Sequence, residues 1–147
     1  MPTLAVNKKA RFDYEVLETY KAGIVLFGFE AKAIRAGKGQ LTGSFVLVRG
    51  GEVFWVNGHI APYQPKNTPP SYQPDRTRKL LLTKKEIAEL AGKSSQKGLT
   101  LIPLTLYTEG RKIKLAFGLA KSRRKYEKRE VIKKREFEKE KRKLMKE

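Results

Sequence analysis

Leu99-Thr-Leu-Ile-Pro-Leu-Thr-Leu-Tyr107 and Lys112-Ile-Lys-Leu-Ala-Phe-Gly-Leu119, joined through the turn pair Glu109-Gly110, decide how this 147-residue chain is read. The second segment sets Ile113, Leu115 and Phe117 on one face and Lys112 and Lys114 on the other, the period of a half-buried strand. The first is dense in apolar residues. Its Pro103 has no N–H for a ladder, which predicts an edge position or a bulge. Working outward, Phe12 to Phe29 is rich in aromatic and β-branched residues and predicts a long strand with a break at Ala22-Gly23, ended by Gly28. Phe45–Arg49 and Glu52–Val56 flank Gly50-Gly51. That pair supplies the positive φ angles of a two-residue hairpin turn. The chain is therefore mainly β.

Helices are short. Glu30 to Ala36 predicts about two turns closed by Gly37. Ile34 is the one strong apolar residue there, and Lys32, Arg35 and Lys38 point away. Thr83-Lys-Lys-Glu86 is a capping box, with Thr83 as N-cap and Glu86 at N3. Ile87, Leu90 and Ala91 form that helix's apolar stripe, and Gly92 is expected to end it. Leu80, Leu81 and Leu82 lead in as core or staple residues. Residues 1–11 read as a loose arm that turns basic. The five prolines between positions 62 and 75 predict an extended surface loop. His59, the single histidine, is read as structural.

Charge separates the chain into two parts, a body over 1–119 and a tail over 120–147. The tail, AKSRRKYEKREVIKKREFEKEKRKLMKE, holds 14 Lys/Arg and 6 Asp/Glu, a net +8 of the formal +18, which leaves +10 on the body. The tail has good helix formers and helpful pairs such as Glu130 with Lys134. Its apolar row of Tyr126, Phe137 and Leu144 is too narrow to bury in a core, so it is expected to be disordered when free and helical when bound to a polyanion. A basic body with a basic tail is the footprint of a nucleic-acid binder. The chain has no cysteine, which excludes disulfides and thiolate metal sites, and one histidine does not build a His-based metal cluster. No apolar run approaches bilayer length and no signal-peptide h-region opens the chain, so a cytoplasmic protein is expected. No P-loop or nucleophile elbow is present and the carboxylates are scattered, so no enzyme and no cofactor are expected.

Several segments carry a resemblance. They are Asn7-Lys8-Lys9-Ala10-Arg11, the run Gly28 to Lys38, His59 to Tyr63, Arg76-Thr-Arg-Lys-Leu-Leu-Leu82, Lys97 to Thr100, and Ala120 to Arg129. In this order and spacing the chain resembles the small protein B family, the SsrA-binding proteins that partner tmRNA in bacteria. The resemblance implies an antiparallel OB-like β-barrel with flanking short helices and a basic tail. It implies a body that binds the tRNA-like domain of tmRNA. It also implies a tail that enters the decoding centre and empty mRNA channel of a stalled ribosome, so that the nascent chain is tagged. It assigns Asn7, Glu30, Lys32, Arg35, Lys38 and Lys114 to the RNA-binding body. Lys8, Lys9, Arg11, Arg76, Arg78 and Lys79 join them as the cations of the matching segments. Leu81 is expected to support that surface indirectly. Lys121, Arg123, Arg124, Tyr126, Lys128 and Arg129 fall in the ribosome-binding tail. The chain departs from the family pattern at Lys21, Ser122 and Glu127, and Lys21 removes any acidic contact there. The protein is expected to act as a monomer. A general RNA-binding module or ribosomal protein is the alternative, separable by competition with unrelated RNA.

Overall fold

The computed structural model describes residues 2–123, 133–136 and 139. In chain order the elements are β1 (Thr3–Val6), α1 (Lys8–Asp13), β2 (Tyr14–Ile24), α2 (Gly28–Arg35), β3 (Gly39–Gln40), β4 (Phe45–Arg49) and β5 (Glu52–Val56). They continue with β6 (His59–Ile60), β7 (Arg78–Leu81), α3 (Lys84–Ser94), β8 (Leu99–Glu109) and β9 (Lys112–Ser122). A sheet of order β1-β8-β4-β5-β7-β2-β9 is closed by the further pairing of β8 with β9, giving the expected antiparallel, OB-like barrel. β1 lies beside the second half of β8, and β3 with β6 forms a separate small ladder. Closure removes the open edges through which sheets aggregate.

The two segments that opened the reading are the spine of this barrel. β8 and β9 pair along their lengths, and the register shifts between Pro103 and Thr105. Of the two positions open to Pro103, the bulge is therefore the one found; the strand lies between β9 on one side and β4 and β1 on the other. Ile113, Leu115 and Phe117 are buried as their alternation requires, together with Leu101 and Leu106 from β8. Each such side chain contributes about 1.5–3 kcal/mol on leaving water. The Gly50-Gly51 hairpin forms with Arg49 opposite Glu52, at φ 59° and 74°. Trp55 is buried at the centre of β5 and donates from Nε1 to Ser44 Oγ at 2.9 Å. A methyl at Gly58 would stand 2.0 Å from the Trp55 ring, so the backbone there passes directly over the indole.

The first third of the chain differs from its expected form. Residues 2–11, expected within a loose arm, are instead ordered as β1 and the start of α1. Asn7 caps α1, its Oδ1 accepting from Ala10 N–H at 3.2 Å while its amide donates to Pro103 O at 2.9 Å. Phe12 thus lies in a helix, and the long strand runs from Tyr14 to Ile24. Its irregularity falls between Val16 and Glu18 rather than at Ala22-Gly23. There Gly118 of β9 passes so close to Val16 that a Cβ would meet its Cγ1 at 2.8 Å. Gly28 begins α2 instead of only ending a strand. At the other end β9 continues through Ser122, with Ala120 fully buried and Arg123 N–H bonded to Asp13 O. The charge boundary at 119/120 is therefore not a structural one.

α3 has the expected box: Thr83 Oγ1 accepts from Glu86 N–H at 3.2 Å, and Glu86 Oε1 accepts from Thr83 N–H at 3.1 Å. Leu90 is the buried anchor, Ala91 is exposed, and the helix passes Gly92 to end at Ser94. Lys93 bridges Glu89 on the same helix and Glu18 on β2, an exposed network of small energetic weight. Thr83→Ala is expected to lower stability by about 1 kcal/mol through loss of the cap. Chemical denaturation reads the loss directly, and RNA affinity well below the melting temperature should be unchanged. A large affinity loss with unchanged stability would place Thr83 in contact with RNA. Within the tail, 133–136 and 139 are helical and exposed. The tail's expected disorder when free otherwise concerns positions outside the described residues.

Candidate nucleic-acid interface

Sequence logic puts charge outside. Two of the expected contact residues break that rule because they neutralise each other. Glu30 sits at the third position of α2 and Arg78 opens β7, and both side chains are fully buried. Arg78 Nε donates to Glu30 Oε2 at 2.8 Å. Its Nη2 donates to Pro74 O at 2.8 Å and to Tyr72 Oη at 3.1 Å, and its Nη1 donates to Gly58 O. The guanidinium also stands 5.3 Å from the Trp55 ring centroid. Arg76 binds the same carboxylate from the other side, with Nε on Oε2 at 3.1 Å and Nη2 on Oε1. Glu30 Oε1 further accepts from Phe27 N–H at 2.9 Å, which caps α2. The Tyr72 hydroxyl is 3.0 Å from both Glu30 Oε2 and Ile60 O; it has one proton and donates to one of them at a time.

Burial pushes the Glu30 carboxyl up, but the bonds from Arg76 and Phe27 N–H and the charge of Arg78 outweigh it, so its pKa lies below the ordinary value. Burial and the Glu30 charge raise the Tyr72 phenol, which stays protonated at neutral pH. One carboxylate against two guanidiniums leaves this cluster with one net positive charge. The cluster joins α2, the proline-rich loop and β7. That loop, which makes a 3-10 turn at Pro65–Asn67, is thus pinned through Tyr72.

Glu30, Arg78 and Asn7 therefore do not face a partner. Each is buried and its side chain is used internally. Expected among the contact residues, the three are thus withdrawn from the surface by burial and by these internal bonds. Leu81, read as core or staple with its neighbours, is instead 54% exposed. Alternation explains both, since with Leu80 inside, Arg78 must be inside and Leu81 outside.

Most of the other expected cations among the described residues lie at the surface. Lys32, Arg35 and Lys38 are exposed on and just after α2. Arg35 Nη2 donates to Arg111 O at 2.6 Å, which ties α2 to the turn between β8 and β9. Lys114, on that hairpin, is half-buried and 3.6 Å from Glu109 Oε2. Lys8, Lys9 and Arg11 project from α1. Arg123 reaches the same region, its Nε donating to Tyr14 O at 3.3 Å. Lys121 is exposed at the end of β9, whereas Lys79 is held by Glu52 at 3.0 Å. Arg124, Tyr126, Lys128 and Arg129 lie outside the described residues. Lys21 stands at the rim of Tyr107, 6.0 Å from its ring centroid.

Sequence reasoning missed the aromatic surface beside this cluster. Phe27 is 50% exposed and stacks with Phe29 at 5.4 Å, Arg76 covers it at 4.1 Å, and Phe29 meets Tyr72 edge-on at 4.9 Å. The signal available was two phenylalanines either side of Gly28, which a strand reading absorbed. His59 is bonded to Asp75 at 2.6 Å. Among the described residues no group of three or more His, Cys, Asp or Glu could hold a metal ion, and no helix is long and apolar enough to cross a membrane.

A closed antiparallel barrel whose buried acid is spent on an internal ion pair, and whose exposed helix faces carry cations, defines a binding protein of OB-like architecture. The chain belongs to the SmpB protein family, whose model matches residues 4–147. It is 50% identical over 145 residues to the SsrA-binding protein of Cupriavidus necator, covering 98% of this chain and 96% of that one. It is 53% identical over 133 residues to the SsrA-binding protein of Gloeobacter violaceus, covering 90% and 87%. A solved structure described as "tmRNA-SmpB: a journey to the center of the bacterial ribosome" matches with a TM-score of 0.70 and 46% identity, over 90% of this chain and 95% of that one.

Proposed function

We propose that this protein is a non-enzymatic RNA-binding factor of trans-translation. Its body binds the tRNA-like part of tmRNA, and its tail acts on a stalled ribosome so that the nascent chain is tagged. The observation that carries the reading is the exposed set Lys32 and Arg35 on α2 and Lys38 just after it, with the start of that helix fixed by the buried Glu30 carboxylate. Cations on a rigid element meet phosphates at defined positions, which is how an RNA of fixed shape is read through its backbone. Membership of a family with SsrA-binding relatives supports the same assignment. Lys8, Lys9, Arg11, Arg76 and Lys114 extend the contact surface. Arg124, Tyr126, Lys128 and Arg129 are assigned to the ribosome, the body acts as a monomer, and the work is cytoplasmic.

The working division of the chain is 2–123 and 124–147, because β9 and the Arg123 bonds complete the barrel. A protein ending at Arg123 is expected to keep most of the affinity for the tRNA-like RNA and to lose peptide tagging. Affinity should fall linearly with salt in log–log terms. Both assays are run on the same truncated protein, with bulk tRNA as competitor. Equal displacement by bulk tRNA would favour a general RNA-binding module. Loss of RNA binding on truncation would sink the division of labour.

A further inference from the structure

Of the residues just assigned to phosphate contacts, only Arg76 lines the aromatic cleft beside α2. It encloses about 440 Å³, with Phe27, Phe29 and Tyr72 as aromatic walls, Pro69 and Gln73 from the proline-rich loop, and Arg76 at its side. On the far side of Phe29 lies a second cleft of about 260 Å³, with Tyr63 and the Lys32 side chain in its lining. Phe29 lines both clefts, and Lys32 lines only the second.

Resting on the RNA-binding reading above, we infer that the larger cleft takes one unpaired nucleobase of the RNA, stacked on Phe27, while Lys32 in the adjoining cleft meets a neighbouring phosphate. Three observations favour a base over an apolar peptide side chain. The cleft is walled mainly by the rings of Phe27, Phe29 and Tyr72, and Phe27 stays 50% exposed although Arg76 stands 4.1 Å from its centroid. The Glu30 cluster behind it keeps one net positive charge, which attracts a polyanion and not an apolar residue. Gln73 and Ser71 at the rim supply donors and acceptors for the edge of a base. The site is also prepared in advance: Phe27 N–H is fixed by Glu30 and Tyr72 by the same carboxylate, so little conformational freedom is lost on stacking.

The test titrates the tRNA-like RNA with the full-length protein and its Phe27→Ala, Phe27→Leu, Phe27→Tyr and Lys32→Ala variants at three salt concentrations, after each variant's melting temperature is measured. Stacking is not a counterion effect. Phe27→Ala should therefore weaken binding about 5- to 150-fold with an unchanged salt slope. Phe27→Leu keeps apolar bulk without a π face and should lose nearly as much; it serves in place of Ala if Ala does not fold. Phe27→Tyr should bind as the wild type does. Lys32→Ala should instead flatten the slope by about 0.7–0.9. Wild-type affinity in Phe27→Leu would overturn the inference in favour of an apolar occupant. A loss for Phe27→Ala that appears only in the salt slope would overturn it as well. Failure of the wild-type protein itself to bind this RNA would instead sink the function on which the inference rests.

Discussion

Glu30→Ala is expected to lower stability by about 3–5 kcal/mol, because it leaves the fully buried Arg78 guanidinium without its counter-charge. A domain of this size is typically stable by about 5–15 kcal/mol, so the loss is a large share of the total. The variant also removes the acceptor for Phe27 N–H at the start of α2. Lys32 and Arg35 would then sit on a helix with a loosened entry, with Lys38 just after it, and RNA affinity should fall as a consequence of that loosening. Glu30→Gln keeps the volume and one acceptor but not the charge, and should fail in the same direction. Equilibrium denaturation beside RNA titration decides the cause. If Glu30 touched RNA itself, affinity would drop while stability held.

The same pair gives a pH dependence. Glu30 titrates lower in the folded protein than in the unfolded chain. Folding therefore gains stability from it above the unfolded carboxyl value, about pH 4.3, and loses that gain as pH falls through the lower folded value. The wild-type protein should show this acid-dependent loss, and Glu30→Gln should lack its share of it.

Where local chemistry decided structure, the chain was legible. The Gly50-Gly51 hairpin, the Thr83 capping box and the Pro103 bulge each depend on a few adjacent residues, and each stands where those residues put it. The misreadings have non-local causes. Lys8–Asp13 is a six-residue helix, too short to show periodicity, and it is held by Asn7 bonding to Pro103 O, 96 positions away. The burial of Glu30 depends on a partner 48 positions away, and a charge read by itself looks like surface. The run of cations from Lys121 drew Ala120 into the tail, although it is fully buried in β9. For the site, the cations of α2 were legible because Ile34 faces inward and the helix period turns Lys32 and Arg35 outward, with Lys38 following just past the helix end. The Phe27 cleft was not, because it forms only when the proline-rich loop closes on α2.

Gly58→Ala is expected to be as damaging as loss of the ion pair, for a reason of space alone. The added methyl would stand 2.0 Å from Trp55 Cζ2 and 2.1 Å from Cε2, far inside van der Waals contact. The far end of a flexible side chain could swing away from such a clash. Trp55 does not have that freedom: it is fully buried in β5, its Nε1–H is bonded to Ser44 Oγ, and Ser44 Oγ–H is bonded in turn to Leu41 O. The backbone of residue 58 is also constrained, because its carbonyl accepts from Arg78 Nη1 and Asn57 before it holds φ at 62°. Relief must therefore come from tilting the indole, which breaks the Ser44 bond, or from moving the carbonyl, which frees one arm of Arg78. Overpacking alone costs about 1–3 kcal/mol, and an unsatisfied buried donor adds about 1–3 kcal/mol. Trp55 is the single tryptophan of the chain, so its emission reports this spot without interference. Gly58→Ala should show lowered denaturation midpoints together with a changed native-state tryptophan spectrum, and RNA affinity should drop in step with the disturbance at Arg78. Native-like emission with an unshifted midpoint would mean that the backbone does not pass over the indole as described, and the link from Trp55 through Arg78 to α2 would fail with it.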